Sequence, residues 1–269
     1  MISILHTIAQ KKLDELRLAK QTTPLEELKD RLLYFSPCYS LANKLRYAKT
    51  PQIIAEFKRR SPSKGIINMH SQVDVIGSGY ELNGAAAISV LTDESFFGAT
   101  KHDFPSVRKT VSVPIIRKEF IIDPYQIHES KAMGADVILL IAAILSPSQV
   151  NELAHLAQSL KMEVLLEIHD PAELDRISDH VSIMGVNNRN LNDFSVNLDQ
   201  SAMMIKDLPD HLPSIAESGI HNPSDLLKLY RKGFAGFLMG EYFMRVRNPV
   251  SALKDFQYQI NKLIDEAEN

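Results

Sequence analysis

Hydrophobic residues follow two successive patterns along the chain. Over 2–19 the apolar positions recur at helical spacing with charged residues between them, which predicts an amphipathic helix. A second helix is predicted over 24–33, capped by one of the threonines before it, and a third helical piece over 36–51. No strand pattern occurs here, so residues 1–50 are interpreted as an N-terminal helical extension.

Beyond residue 51, short apolar runs alternate with helical segments. Glycine precedes several runs at the position where a helix would stop, as at Gly84, Gly134 and Gly233. Helix, glycine and buried strand in repetition are typical of a parallel α/β fold, whose strands are covered on both faces. The eight candidate strands are 53–58, 86–91, 114–118, 137–141, 164–167, 183–186, 214–217 and 237–240.

Eight strands separated by helices predict a (β/α)8 TIM barrel. The alternative is an open doubly wound sheet, but no G-x-G-x-x-G follows the first strand. No change of composition marks a linker. The expected architecture is therefore one barrel domain over 1–269, with 1–50 as its N-terminal helical extension.

Composition narrows the function classes. The formal net charge is −3, and the 30 Lys and Arg residues are scattered, so no nucleic-acid partner is indicated. The longest apolar run, 137–145, is too short to span a bilayer, and no membrane partner is expected. A single cysteine, Cys38, cannot form an internal disulfide, which favours a cytoplasmic protein.

Polar residues stand at the ends of nearly all the predicted strands, where a barrel of this kind carries its chemistry. Side chains alternate along a strand, so Ile54, Glu56 and Lys58 point the same way. One polar strand end can be a solvated ion pair, but a purely structural barrel needs no ring of them. In chain order the ring comprises Glu56, Lys58 and Ser61; Thr92, Asp93 and Glu94; Arg117, Lys118 and Glu119; Glu167, His169 and Asp170; Asn187, Asn188 and Arg189; Glu217, Ser218 and Gly219; Gly240 and Glu241.

Lys58 and Lys118 follow β-type residues. A lysine that is partly desolvated or beside another cation has a lowered pKa and acts as an acid or base near neutrality. The structural alternative for each lysine is a plain ion pair with a neighbouring glutamate. Glu167 follows Val-Leu-Leu, so burial is expected to raise the pKa of its carboxyl group.

Glycines at the ends of the last two strands indicate an anion site. At Gly219 and Gly240 the backbone N–H groups can approach a phosphate, and Arg189 can add a charged contact. Histidines and acidic residues do not form ligand-spaced clusters, so no metal is expected. No Walker sequence and no G-x-S-x-G elbow occur.

The polar strand ends match a known family. The segment Ile-Ala-Glu-Phe-Lys-Arg-Arg-Ser-Pro-Ser-Lys-Gly resembles the signature of the indole-3-glycerol-phosphate synthases. The resemblance continues in Val-Leu-Thr-Asp-Glu-Ser-Phe-Phe-Gly, Ile-Ile-Arg-Lys-Glu-Phe, Leu-Leu-Glu-Ile-His-Asp, Gly-Val-Asn-Asn-Arg-Asn-Leu, Ala-Glu-Ser-Gly-Ile and Phe-Leu-Met-Gly-Glu. It covers essentially the whole chain, in the family's order.

The resemblance implies a role in tryptophan biosynthesis. The family converts 1-(2-carboxyphenylamino)-1-deoxyribulose 5-phosphate into indole-3-glycerol phosphate, carbon dioxide and water, without a metal or another cofactor. The partner implied is thus a phosphorylated small molecule. A monomer is favoured, although the sequence does not give the oligomeric state.

Residue roles also follow from the resemblance. It implies that Lys118 is the general acid that polarises the substrate ketone, that Glu167 handles the proton of dehydration, and that Lys58 pairs with the substrate carboxylate. Which lysine acts at which step stays open. Further implied contacts are Glu56 and Asn187, which orient these groups; Ser218 and Glu217, on the substrate; Ser61, Arg189, Gly219, Gly240 and the backbone of Glu241, around the phosphate and ribulose; and Phe120, Leu139, Leu191 and Leu238, around the aromatic ring.

One departure and two alternatives qualify this interpretation. Glu241 occupies a position often taken by serine, so only its N–H is expected to face the phosphate. A non-catalytic phosphosugar-binding barrel would need the phosphate site alone, without the acid–base set. A Schiff-base aldolase would use Lys118 as its nucleophile, and borohydride trapping would distinguish it.

Overall fold

The computed structural model describes residues 4–190 and 194–268. Its centre is a closed barrel of eight parallel strands, which confirms the predicted single (β/α)8 TIM barrel and rules out an open sheet. The barrel strands are β1 (Gln52–Phe57), β2 (Ala87–Leu91), β3 (Ile115–Lys118), β4 (Val137–Ile141), β5 (Glu163–Ile168), β6 (Ile183–Asn187), β7 (Ser214–Glu217) and β8 (Gly236–Met239).

Closure depends on the first strand, which pairs with both neighbours. Ile54 of β1 lies opposite Leu238 of β8 on one side and Ala87 of β2 on the other. All eight predicted strands are present, with ends that differ by at most one residue. Several helices end where predicted, at a glycine with a left-handed backbone, such as Gly84 (φ 84°) and Gly134 (φ 83°).

Helices surround the barrel. They are α1 (Ile4–Thr22), α2 (Leu25–Lys29), α3 (Leu41–Arg46), α4 (Val73–Leu82), α5 (Glu94–Phe97), α6 (Asp103–Thr110), α7 (Pro124–Met133), α8 (Pro147–Ser159), α9 (Leu198–Met204), α10 (Pro223–Tyr230), α11 (Glu241–Met244) and α12 (Pro249–Glu268). None of the helices within 4–190 and 194–268 is long and apolar enough to cross a bilayer.

The N-terminal helices differ from the predicted ones in length. The second helix is only α2, followed by a 3₁₀ turn at Leu32–Phe35. Neither threonine caps it, because the residue before α2 is Pro24 and the Thr22 hydroxyl donates back to carbonyls of α1. The third helical piece begins only at Leu41, since Pro37 disfavours a helix before it.

Alternation along β1 separates two apolar cores. Ile53, Ala55 and Phe57 face the surrounding helices, whereas Ile54 belongs to the core inside the barrel. Because both faces of every strand are covered, the strands are almost continuously apolar until their carboxyl ends. Polar side chains at those ends therefore enter an otherwise apolar barrel.

Helix α1 lies across the carboxyl ends of the strands. Its Lys12 is 5% exposed, and its ammonium is 3.1 Å from Asp93 after β2 and 3.0 Å from Glu119 after β3. Burial alone would lower the pKa of Lys12, but Glu119 and Asp93 outweigh it and raise that pKa. The lysine is thus a buried cation that holds α1 against the mouth of the barrel.

Helix α3 covers the opposite end. Glu163, the first residue of β5, accepts hydrogen bonds from the Leu41 and Ala42 N–H groups at 2.8 and 2.9 Å, and also from the Ser40 hydroxyl. A carboxylate at a helix N-terminus satisfies donors that have no partner within the helix. Residues before β1 therefore close both ends of the barrel.

The contact at Glu163 predicts a stability effect. Replacing it with alanine leaves the N-terminal N–H groups of α3 without their acceptor. We expect Glu163→Ala to lower the free energy of unfolding by about 1–3 kcal/mol. Urea unfolding measures it, with Glu152→Ala, an exposed glutamate on α8, as the matched control. Equal midpoints for the two variants would contradict the role of Glu163.

Candidate active site

A cavity of about 150 Å³ opens at the carboxyl ends of the strands, and we call it the mouth cavity. Fifteen of the sixteen candidate residues line it, whereas Leu191 lies outside the described residues. The lining candidates are Glu56, Lys58, Ser61, Lys118, Phe120, Leu139, Glu167, Asn187, Arg189, Glu217, Ser218, Gly219, Leu238, Gly240 and Glu241.

The centre of the mouth cavity is an ammonium between two carboxyl groups. Lys118, at the end of β3, lies 2.9 Å from Oε2 of Glu167 on β5 and also donates to Oε2 of Glu217 on β7. In a barrel, alternate strands contribute side chains to the same layer. The spacing of these strands therefore brings together three residues that are far apart in the chain.

Lys118 has a raised pKa, and the expectation of a lowered one is wrong. Its burial would lower the pKa, but the charges of Glu167 and Glu56 and the hydrogen bond to Glu217 outweigh that effect. Arg117, the preceding residue, points away and donates to Glu129 on α7 at 2.5 Å. The side chain is a stable cation at neutral pH.

The two carboxyl groups differ in protonation. Burial favours protonation of Glu167, but Lys118 and His169 hold its pKa well below the usual value, so the expected rise is wrong. At Glu217, burial outweighs the attraction of Lys118 and, together with the charge of Glu167, raises the pKa to about 8. Two buried carboxylates that share one cation do not both ionise readily. At neutral pH Glu167 is the carboxylate and Glu217 the acid.

A second ion pair lies on β1 and the residue after it. The Lys58 ammonium is 2.6 Å from Oε1 of Glu56, which is buried. Gly240 leaves room for this carboxylate, since a Cβ there would come within 2.5 Å of Oε1. The plain ion-pair alternative thus describes the contact of Lys58, but the pair lies on the wall of the mouth cavity.

Asn187 holds Glu167 in place. Its side-chain amide donates to Oε1 of Glu167 at 3.1 Å, while its carbonyl oxygen accepts the backbone N–H of Arg189 at 3.0 Å. Both groups of the amide are therefore satisfied. The carboxylate keeps Oε2 toward Lys118 and Oε1 toward Asn187.

Backbone geometry is unusual after β7. Ser218 and Gly219 both have positive φ, 65° and 75°, and the left-handed region costs a non-glycine residue on the order of 1 kcal/mol. The Asn188 amide holds this turn by donating to the carbonyls of Glu217 and Ser218 at 2.8 and 2.9 Å. The turn directs Ser218 and Gly219 into the mouth cavity.

The Glu241 carboxylate forms ion pairs with two cations beside this turn. Its Oε2 is 3.3 Å from Arg189, and its Oε1 is 3.4 Å from Lys64. Its side chain is therefore engaged with positive charge at the expected phosphate site. That only its N–H faces a phosphate stays a prediction.

The sequence patterns did not place several residues that line the mouth cavity. Ile4, Leu5 and Ile8 of α1 line the mouth cavity, so this helix also covers the site. Helical spacing revealed that these residues pack, but the pattern does not say against which surface. Phe194 lies in a loop with no periodic pattern at all.

His169 adds a second contact to Glu167. Its Nε2 lies 3.2 Å from Oε1 of Glu167, and its Nδ1 lies 3.7 Å from Oε2 of Glu173. Burial would lower the pKa of His169, but the two carboxylates outweigh it and raise the pKa to about 9. His169 also lines a second cavity of about 640 Å³, which we call the side cavity.

The two cavities share Leu5, Asn187 and Arg189 as a common wall. No group of three or more histidines, cysteines and acidic residues that could hold a metal ion occurs among the described residues.

Comparison with known proteins gives consistent matches. The family described as indole-3-glycerol phosphate synthase matches residues 5–256. The enzyme of that name from Bacteroides thetaiotaomicron is 42% identical over 256 residues, covering 95% of this chain and 98% of the relative. The one from Salinibacter ruber is 39% identical over 265 residues, covering 97% and 98%.

Solved structures with the same fold are more distant. A tryptophan synthase α subunit from Legionella pneumophila gives a TM-score of 0.61 at 14% identity, covering 84% of this chain and 97% of that chain. A thiamine phosphate pyrophosphorylase from Pyrococcus furiosus gives 0.60 at 14% identity, covering 83% and 98%. At this identity, the likeness concerns the barrel alone.

The raised pKa of Glu217 predicts a dependence of stability on pH. The folded protein keeps a proton that the unfolded chain releases between pH 4.5 and about 8, so the free energy of unfolding falls as pH rises through this window. The slope from one group is at most about 1.4 kcal/mol per pH unit. We expect Glu217→Gln to flatten this part of the profile.

Denaturant unfolding at a series of pH values measures the difference. Glu152→Gln, an exposed glutamate on α8, is the matched control and keeps the wild-type profile. Parallel profiles for wild type and Glu217→Gln would show that Glu217 is ionised throughout.

Proposed function

Because this chain belongs to the indole-3-glycerol phosphate synthase family, we propose that the residues of its mouth cavity carry out the ring closure of that reaction. The enzyme is a decarboxylating lyase of tryptophan biosynthesis that acts on a phosphorylated small molecule. The observation that carries the proposed residue roles is the Lys118 ammonium between Glu167 and Glu217 in one buried cavity.

Ring closure needs a proton donor at the ketone. The aromatic carbon that bears the carboxylate attacks the ketone carbon, and negative charge develops on the ketone oxygen. A preorganised cation in a buried site stabilises such charge strongly. Lys118 is that cation, and it passes a proton to the oxygen as the new bond forms.

Decarboxylation restores the aromatic ring. Lys58 pairs with the substrate carboxylate on binding, in competition with its contact to Glu56. The apolar side chains of Phe120, Leu139 and Leu238 surround the ring and offer the carboxylate little solvation, which assists loss of carbon dioxide. The bond electrons return to the ring, so no proton is needed in this step.

Dehydration requires an acid and a base close together. The hydroxyl leaves as water once an acid protonates it, and a base removes a proton from the carbon bonded to nitrogen. Glu167 suits the base because its low pKa keeps it ionised and Asn187 fixes its orientation. Lys58 or Lys118 supplies the proton to the leaving hydroxyl.

The phosphate belongs at the other side of the mouth cavity. Ser61, Arg189, Gly219 and Gly240 line that side, and the left-handed turn at Ser218–Gly219 exposes backbone N–H groups. The Glu241 carboxylate pairs with the Arg189 guanidinium, so the substrate phosphate must displace it to bind there. Binding of the substrate then replaces one anion by another.

The Schiff-base alternative fits the geometry less well. A lysine that attacks a carbonyl must be a neutral amine. The carboxylates around Lys118 raise its pKa and so favour the ammonium form, the opposite of what this nucleophile needs. The acid–base groups in turn exceed what a binding protein alone would need.

A monomeric, cytoplasmic enzyme is also part of the proposal. The fifteen described lining candidates all come from one chain, which supports a monomer. The single cysteine suits a reducing compartment. Sedimentation at micromolar concentration tests the oligomeric state, and a stable dimer would contradict a monomer.

Lys118→Met tests the central role. It removes the proton donor but keeps the length and apolar stem of the side chain. We expect kcat to fall by about 10²–10⁴-fold with little change in KM, since the interaction forms in the transition state. Indole fluorescence during incubation with the carboxyphenylamino-ribulose phosphate follows the reaction.

The control is Lys109→Met, an exposed lysine on α6, which is expected to match wild type. Retained turnover in Lys118→Met would overturn the residue assignment. Absence of an indole product from the wild-type protein would overturn the proposed function itself.

Glu241→Gln tests the competition at the phosphate site. The change frees Arg189 and Lys64 from an internal anion, and ion pairs near the protein surface contribute roughly 0.2–1 kcal/mol. We expect KM for the substrate, and the inhibition constant of inorganic phosphate, to fall by about two- to five-fold. Unchanged constants, equal to those of the Glu152→Gln control, would exclude the competition.

A further inference from the structure

The proposed reaction consumes one proton in each turnover. The ketone oxygen takes up two protons as it becomes first a hydroxyl and then water. One proton returns from the carbon bonded to nitrogen, and the substrate carboxylate leaves as neutral carbon dioxide. One proton must therefore enter the site from solution each time.

The mouth cavity is poorly placed to admit that proton directly. Ile4, Leu5 and Ile8 of α1 form an apolar cover over it, and Lys12 fixes that helix by buried ion pairs. Once substrate is bound, a route through the side chains of the cavity wall avoids this cover.

His169 lines the side cavity and lies behind Glu167, which lines the mouth cavity. Nε2 of the His169 ring lies 3.2 Å from Oε1 of Glu167. Oε2 of the same carboxylate lies 2.9 Å from the Lys118 ammonium. On this evidence, and resting on the proposed function, we propose that His169 carries the consumed proton from the side cavity to Glu167 and on to Lys118.

Local charges support the direction of transfer. Glu167 and Glu173 face the His169 ring. Arg176 lies 3.9 Å from Glu173, and Lys118 contacts the other oxygen of Glu167. The carboxylates raise the pKa of His169 to about 9 despite its burial, so the ring holds a proton at neutral pH. Once Lys118 has given its proton to the substrate, it is the stronger base and draws the next one.

The position of the ring suits repeated transfer. The His169 backbone N–H donates to Glu173 at 2.7 Å, and its carbonyl accepts the Gln200 amide at 3.0 Å, so the main chain is fixed. Among the described residues, neither ring nitrogen makes an aligned hydrogen bond. Only the charge attraction to Glu167 and Glu173, and no aligned hydrogen bond, opposes rotation of the ring toward the side cavity.

His169→Asn removes the titratable ring and tests the relay. The resting protein is already protonated, and Lys118, the stronger of the two charges on Glu167, still holds that carboxyl group ionised, so the first turnover should stay close to the wild-type rate. Return of a proton to Lys118 then limits the later turnovers. We expect a burst of one indole per active site, followed by a steady state about 10- to 100-fold slower than wild type. Stopped-flow fluorescence with excess substrate measures both phases.

Imidazole in the buffer provides a second readout. The side cavity, at about 640 Å³, has room for it, and we expect it to restore the steady-state rate with rising concentration. The matched control is His211→Asn, an exposed histidine before β7 at the other end of the barrel, which should show neither the slow phase nor rescue.

The outcomes separate the relay from its alternatives. A slow first turnover that imidazole does not rescue would mean that His169 only holds Glu167 in place, and a wild-type steady state would mean that it has no role. Either result overturns the relay. If His169→Asn does not fold, His169→Gln is measured in the same way. Absence of indole from the wild-type protein would instead refute the proposed function.

Discussion

The proposed chemistry of this barrel depends on the Lys118 ammonium, which lies between two buried carboxyl groups. Burying three ionisable groups costs free energy, and the cost is offset only where the partners meet closely. Lys118 satisfies Glu167, and Glu217 avoids the excess negative charge by keeping a proton. One layer of the barrel thereby contains a fixed cation, a fixed base and a neutral acid, without any metal in the proposed mechanism.

Closure of the sheet is what brings these groups together. The three residues come from β3, β5 and β7, and only a closed barrel directs their side chains to one point. The intervening strands contribute Leu139 on β4 and Asn187 on β6, one as apolar wall and one as an orienting amide. Polar and apolar functions thus alternate around the mouth.

Much of the fold and of the site was predictable, because the pattern that indicates a strand and the polar residue at its end is local in sequence. A run such as Val-Leu-Leu-Glu identifies both the strand and the polar residue at its end, so Glu167 was found. Its protonation state was not, because that depends on Lys118, 49 positions away. Likewise, the spacing of Ile4, Leu5 and Ile8 indicated a packed helix, but no local pattern says that it covers the mouth cavity.

The residues before β1 bear on how the chain assembles. Lys12 binds Asp93, 81 positions later, and Ser40 binds Glu163, 123 positions later. Contacts of such long range form slowly, because the intervening chain must first be ordered. During synthesis, the residues before β1 emerge ahead of the barrel strands and are therefore among the last to dock. Until β5 exists, the apolar face of α1 and the start of α3 have no barrel to cover, and the growing chain exposes them to other molecules.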